Sequence, residues 1–459
     1  MGYIENKKNV IKFHVSTTFA IVGFCIFSFL LLPLYQAFLK DSLVGIQFLL
    51  IGSISISALF LENEKRAFSL SMSVYFFCYL FFYCAALFQF SYDTFRWFLY
   101  PTVEEVIVAN NLILVGLVSF IFGHKFYLKT NHSKNIKEKN KIRRWVIYIS
   151  LLFLTSYFVY LLTIMPISDF FSRATFQSND FDNQSTGLVI SSIRNGIALI
   201  CSLILIKCYQ EKHNLFNFLL MLYSLILALF IIPPTGVARF LSGAFYGALL
   251  LYSFPVLRQG KIFLLLMFSF ILIIFPLLNN FRYLNGNALE IFDVLDGLSN
   301  NFQAADFDAY TMLIYTIKYT SNFGYSFGRQ LLGTLLFFIP RAVWPSKPIG
   351  SGSMIVDTLF IPINGNVSCP FIAEYFINFG ILGVVIISLL LGCLLNTMDK
   401  VYWEKKKYNG FLQLFYPFLS LITIFCCRGD MMSSTSFLIG TFISAYIEYK
   451  MIVKRVDYE

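Results

Sequence analysis

Apolar positions dominate the chain in long unbroken runs, and polar residues are confined to the gaps between them. Runs of about 17–25 residues are long enough to cross a bilayer as helices. Twelve can be placed, at 13–32, 43–61, 67–90, 103–123, 145–165, 188–206, 214–232, 237–257, 262–278, 371–395, 411–428 and 434–451. Pro233, Pro234 and Gly236 force a tight break between the seventh and eighth. The basic start (Lys7, Lys8, Lys12) enters the first run with no small-residue cleavage site, which predicts an anchor rather than a cleaved leader. The expected fold is an all-α polytopic membrane protein of twelve spans.

Two gaps are too polar and too long to be simple turns. Residues 166–187 form one, and 279–370 form the other, 92 residues in length. A connection that long is rarely idle. Helical stretches are expected in it near 288–297, 304–319 and 328–338, the last strongly apolar and so expected in the interface or packed back on the bundle. The chain thus divides into 1–278 (nine spans), 279–370 (a large helical external loop) and 371–459 (three spans).

Composition sharpens this picture. Of 459 residues 58% are hydrophobic and 13% charged, with a mean hydropathy of +0.70. Soluble domains run near ~25% charged. A water-soluble fold, a disordered chain and a nucleic-acid binder are therefore excluded, despite a net charge of +10. Placing both termini in the cytoplasm puts 24 of the 35 Lys and Arg, but only 10 of the 25 acids, on that side. That satisfies the positive-inside rule and assigns the basic excess to insertion and anionic lipid. Trp97, Trp145, Trp344 and Trp403 all fall at expected interfaces, only Cys369 lies clearly in an external loop, and all four histidines (His14, His124, His132, His213) are cytoplasmic. The run up to Arg144 that begins at Lys134 reads as a solvated face, and Gly243 with Gly247 as a close helix approach.

The cations that remain outside are mostly arginine. Arg96, Arg173, Arg194, Arg239, Arg282, Arg329, Arg341 and Arg428 stand against Lys40, Lys318 and Lys347. A guanidinium donates in a planar fork that suits phosphate oxygens. Arg239 opens a span after Pro233–Gly236, Arg282 follows the preceding span, Arg341 and Lys347 share a proline-rich turn, and Arg428 ends the last external hairpin. All four sites can face one external cavity. Arg194, placed mid-span, must face that cavity or an acid. Glu104 and Glu105 read as carboxylates at a helix N-terminus.

PTGVARF, FPLLNNFR, DFDAY (306–310), GRQLLGTLLFFIPRAVWPSKPIGSG (328–352) and NVSCPFIAEYFINFG (366–380) resemble the bacterial O-antigen polymerases of the Wzy type, over residues 233–380 and the Arg428–Asp430 corner. The resemblance implies a membrane glycosyltransferase of GT-C-like architecture in the bacterial inner membrane, with its site on the periplasmic face. It would transfer a growing glycan from undecaprenyl diphosphate to the non-reducing end of an incoming lipid-linked repeat unit. It also implies a chain-length-regulating co-polymerase of the Wzz type as partner. In such a reaction Arg239, Arg282, Arg341, Lys347 and Arg428 suit the diphosphate. No external histidine is present, so the base is sought among carboxylates: Glu374 first, Asp306 or Asp308 as alternatives, while Asp430 can instead pair with Arg428. The reactive set is therefore Glu374, Asp308 and Arg341, with Tyr310, Tyr325 and Trp344 able to stack on sugar faces. No metal-ligand spacing is visible on the external side, and neither metal nor cofactor is expected. An O-antigen ligase would share the leaving group but typically presents an external histidine; a lipid-linked oligosaccharide flippase would carry charges along the bundle interior.

Overall fold

A computed structural model of the protein describes residues 30–126, 139–167, 170, 184–271, 302–363, 367–404 and 410–456. Its helices in chain order are α1 (Leu30–Lys40), α2 (Ser42–Lys65), α3 (Leu70–Tyr92), α4 (Val103–His124), α5 (Arg144–Ile164), α6 (Gln184–Glu211), α7 (Leu215–Ile231), α8 (Arg239–Ser253), α9 (Gly260–Ser269), α10 (Ala309–Phe323), α11 (Arg329–Leu335), α12 (Ser351–Thr358), α13 (Phe371–Glu404), α14 (Gly410–Arg428) and α15 (Met431–Ile452). The fold is a helical polytopic membrane body. One short antiparallel pairing, β1 (Lys139–Ile142) with β2 (Val453–Val456), straps the start of α5 to the end of α15.

Seven of these helices, α2 to α6, α13 and α14, are long and apolar enough to cross a bilayer. Each coincides with an expected span. The shorter α7, α8 and α9 fall at expected spans seven, eight and nine. Most of the first expected span, the loop stretch 288–297, and Arg173 and Arg282 lie outside the described residues.

α3 is the centre. Every side chain from residue 70 to 91 is buried, and the helix packs on α2, α13 and α14. A helix apolar all round has this place in a bundle. Around it, glycines let backbones touch. A Cβ at Gly123 would run into the Leu389 carbonyl, and one at Gly392 into the Phe120 carbonyl, so α4 and α13 cross with no side chain between them. Gly247 likewise admits Leu421 of α14 against α8. α13 breaks at Phe379–Gly380, where Gly380 takes φ +63°. Residues 371–378 are enclosed, whereas Ile381, Leu382, Ile386 and Leu390 below the break are exposed, a lipid-facing stripe.

One end of the bundle is closed by a network of charges. Asp399 of α13 accepts from Leu70 N (2.9 Å), Ser71 N (3.2 Å) and Ser71 Oγ (2.8 Å), so a carboxylate caps the N-terminus of α3. Tyr416 donates to the same group, and Arg66 lies between it and Glu62, 3.6 Å from Asp399 and 2.7 Å from Glu62. Gly392→Val, which forces α4 and α13 apart, is expected to cost about 1–3 kcal/mol and to lower the melting midpoint of the detergent-purified protein. An unchanged midpoint would show that the two backbones do not meet there.

Candidate functional site

At the opposite end the long loop is pinned into the bundle by arginines of two bundle helices. Asp306 belongs to a short turn, residues 305–307, and Asp308 precedes the first residue of α10. Arg428, the last residue of α14, donates from Nη2 to Asp308 Oδ1 (2.8 Å) and to the Ala305 carbonyl (2.8 Å), and from Nε to the Asp306 carbonyl (3.0 Å). Arg239, the first residue of α8, reaches Asp306 Oδ2 at 2.8 Å. Gln89 of α3 donates to the carbonyls of Phe302 and Phe307 at 2.8 and 2.9 Å. The Arg428 guanidinium lies 5.4 Å over the Phe240 ring, which in turn faces Phe425. Thus two arginines from two helices meet two acids of the loop in one largely enclosed group, whose four charges cancel among the described residues.

Asp308 is fully enclosed and takes two further donors, Trp97 Nε1 (3.3 Å) and Ser368 N (3.1 Å). Three donors hold it as a positioning group. The reading in which Asp430 pairs with Arg428 is corrected, because Arg428 pairs with Asp308.

Asp430 has another task. It stands before α15 and accepts from Met432 N (2.9 Å), and it also accepts from Gly352 N (3.0 Å) in the first turn of α12. Glu374 accepts from Ser351 Oγ (2.7 Å) and from Met431 N (2.9 Å). Two buried carboxylates therefore lie against two helix N-termini, whose amides and dipoles favour negative charge. Burial pushes the Asp430 carboxyl above its usual range, against the backbone amides that pull it down. Cys369, between this pair and Ser368, is buried and its thiol is raised well above its usual value, so it stays protonated. The two groups are neighbours in sequence twice over, through Ser368 to Glu374 and through Arg428 to Asp430.

The cations of the proline-rich turn do not join them. Arg341 donates to the carbonyls of Lys347 (2.7 Å) and Pro348 (3.2 Å), and Lys347 donates to Phe337 (2.6 Å) and Ile339 (3.0 Å). Each closes the turn that contains it. Burial and the Arg341 charge lower the Lys347 ammonium below its usual range. The turn is nonetheless close to the acids, since a Cβ at Gly350 would meet Asp430 Oδ2 at 2.6 Å. Trp344 donates to Ser346 within the same turn.

Tyr310 corrects an expectation. It is completely buried, its hydroxyl donates to Asn110 Oδ1 (2.9 Å), and its ring packs on Phe48 and Phe95, so no face is open to a sugar. Tyr325 packs on Phe376, and its ring lies 3.0 Å from where a Cβ of Gly380 would sit, wedged at the α13 break. Arg194 is buried and donates to Tyr157 Oη at 2.9 Å. Glu105 completes a capping box with Thr102, as its position after Pro101-Thr102 implies.

The sequence reading missed a cluster at the other end. Glu62, His124 and Asp399 bring ligand-type atoms within 4.8 Å of one another, with His124 Nε2 3.7 Å from Glu62. Arg66 already sits between the two acids and pairs with both, so the group ties the end of α2 to α13. Comparison with known proteins brings no neighbour to any of these groups: no family model, no curated protein and no solved structure matches the chain.

Removing one partner of a buried pair leaves an uncompensated charge and costs about 3–5 kcal/mol. Asp308→Ala and Arg428→Ala are each expected to destabilise by that order, and the double variant by clearly less than their sum. Strict additivity in unfolding measurements on the detergent-purified protein would mean that the two side chains are not bonded.

Proposed function

We propose that the protein is a membrane glycosyltransferase of the O-antigen polymerase type, which joins undecaprenyl-diphosphate-linked oligosaccharides at the end of the bundle that carries Arg239 and Arg428. Twelve spans, both termini in the cytoplasm and a periplasmic site in a bacterial inner membrane belong to the same proposal. So does a chain-length-regulating partner of the Wzz type.

One observation carries the reading. Arg239 and Arg428, on different helices, converge on loop residues 305–308 beside a second group of buried carboxylates. Glycosyl transfer from a diphosphate carrier needs both kinds of group at one membrane face. The C–O bond to the diphosphate breaks, a new C–O bond forms to an acceptor hydroxyl, the hydroxyl proton passes to a base, and the carrier diphosphate leaves with its negative charge. Arginine forks stabilise that charge, and Arg239 and Arg428 are the residues we assign to it. Glu374, within reach of Asp430 and Ser351, is the base we favour. Asp308 holds Arg428 in place. Arg341 and Lys347 shape the turn over Asp430 and are assigned no contact with the diphosphate.

Purified protein in liposomes, given one undecaprenyl-diphosphate repeat unit in the presence of EDTA, is expected to yield a ladder of glycans spaced by one repeat. Arg428→Lys keeps the charge but loses the fork, and should slow the ladder by about 10²-fold while the protein still elutes as the parent does. No ladder with the correct repeat would refute the polymerase. Transfer only after addition of a lipid A–core acceptor would identify a ligase, and carrier movement across the bilayer without transfer would identify a flippase.

A further inference from the structure

An opening of about 530 Å³ lies beside the arginine group, where the 97–98 turn, the start of α4, the end of α10 and residues 359–362 meet. Its volume is within the range of about 300–1,000 Å³ usual for small-ligand sites. Four rings line it: Trp97, Phe98, Tyr315 and Phe360. Phe98 and Phe360 are 70% and 91% exposed. Trp97, Phe98 and Phe360 also have φ of 59°, 57° and 53°, a left-handed backbone that bulky L residues avoid. They are three of the five non-glycine residues with positive φ among those described, and all three border this one opening. A turn that only reversed the chain would favour glycine or asparagine there. Backbone held against its preference, with a large ring carried outward, is a feature of ligand-holding sites.

The remaining lining is mixed: Leu359, Ile361 and Pro362 are apolar, and four side chains are polar. Glu105 and Lys318 form an ion pair at 3.3 Å, with Ser321 and Asn322 beside them. The opening is also wired to the candidate site. Tyr315, whose hydroxyl burial pushes up to about 12 and so keeps protonated, donates to the Trp97 carbonyl at 2.6 Å. The Trp97 indole donates to Asp308, the partner of Arg428.

We propose that this opening is a glycan subsite that holds the part of a saccharide chain lying beyond the reacting sugar. Sugar rings offer C–H faces that pack on aromatic rings and hydroxyls that bond to carboxylate, ammonium and amide groups, and the lining supplies both. An aromatic belt that merely anchors a protein in the interface needs rings alone; the four polar side chains set among rings and aliphatic groups supply bonds that a saccharide uses and a lipid tail does not. The inference rests on the polymerase reading and names where that enzyme grips its chain.

Trp145→Phe, Trp344→Phe and Trp403→Phe together leave Trp97 as the single indole of the four in the chain. The probe is the oligosaccharide of the same repeat unit, freed from its carrier and titrated into this protein in detergent. A saturable change in Trp97 emission is expected. Phe98→Ala and Phe360→Gly should weaken it at least about tenfold; both rings are exposed, and glycine suits the Phe360 backbone, so melting should stay as in the parent. No saturable response, or a response that neither variant weakens, would overturn the subsite. Strong quenching of Trp97 by vesicles of dibrominated phosphatidylcholine would overturn it too, by placing the rings in lipid. Glycan binding without a polymerisation ladder would leave the subsite standing and remove the polymerase, whereas a ladder without binding would do the reverse.

Discussion

Charges and helix ends inside an apolar body have no water to fall back on, and each must be closed by a partner from elsewhere in the chain. That constraint organises both ends of this protein. At one end the Asp399 carboxylate caps α3, with Arg66 paired to both Asp399 and Glu62. At the other, Arg428 closes the carbonyls of the 305–307 turn, and Glu374 with Asp430 closes the first turns of α12 and α15. Between these two closures, α3 is free to be apolar on every side. The loop is held down by the same bonds, because Gln89, Arg239 and Arg428 all project from bundle helices into residues 302–308.

The candidate site and the fold therefore share their bonds. A residue such as Arg428 serves stability and, under the proposed function, charge stabilisation as well. The two acid groups differ in kind. Asp308 faces a guanidinium, an indole and an amide, a setting that fixes geometry. Glu374 and Asp430 face backbone amides and each other, with no cation bonded to either among the described residues. A proton is more readily exchanged within the second group than at a carboxylate locked to arginine, which is why Glu374 is favoured as the base.

What could be read from the sequence was local. The seven long spans followed from the length of the apolar runs, the 233–236 break from its prolines, and the place of Glu105 at a helix N-terminus from its position at the start of a run. Arg239 and Arg428 were legible as cations at span ends. Their partners were not, because Arg428 and Asp308 are 120 residues apart and nothing in either neighbourhood names the other. The same holds for Glu62, His124 and Asp399. The bonds that Arg341 and Lys347 make were not legible either, for a physical reason: a proline-rich turn leaves carbonyls without partners, and the nearest cations close them. Tyr310 misled because a ring with a hydroxyl suits a sugar site and a core with one buried acceptor equally well; Asn110 supplies that acceptor.

Charge balance also ranks the two arginines. A diphosphate added to a cluster whose charges already cancel among the described residues would bring excess negative charge into a region of low dielectric, where like charges repel strongly. One acid must then give way. Asp308 is fully enclosed and held by three donors, whereas the Asp306 side chain is 15% exposed at the rim, and Arg239 beside it is 9% exposed. Asp306 can turn to water at far lower cost than Asp308. Under the proposed function, Arg239 is thus the arm that exchanges a carboxylate for the carrier diphosphate, while Arg428, still paired with Asp308, adds its charge from a fixed position. A site built this way keeps its arginines satisfied when no lipid is bound, which an apolar bundle requires, and releases one of them when an anion arrives.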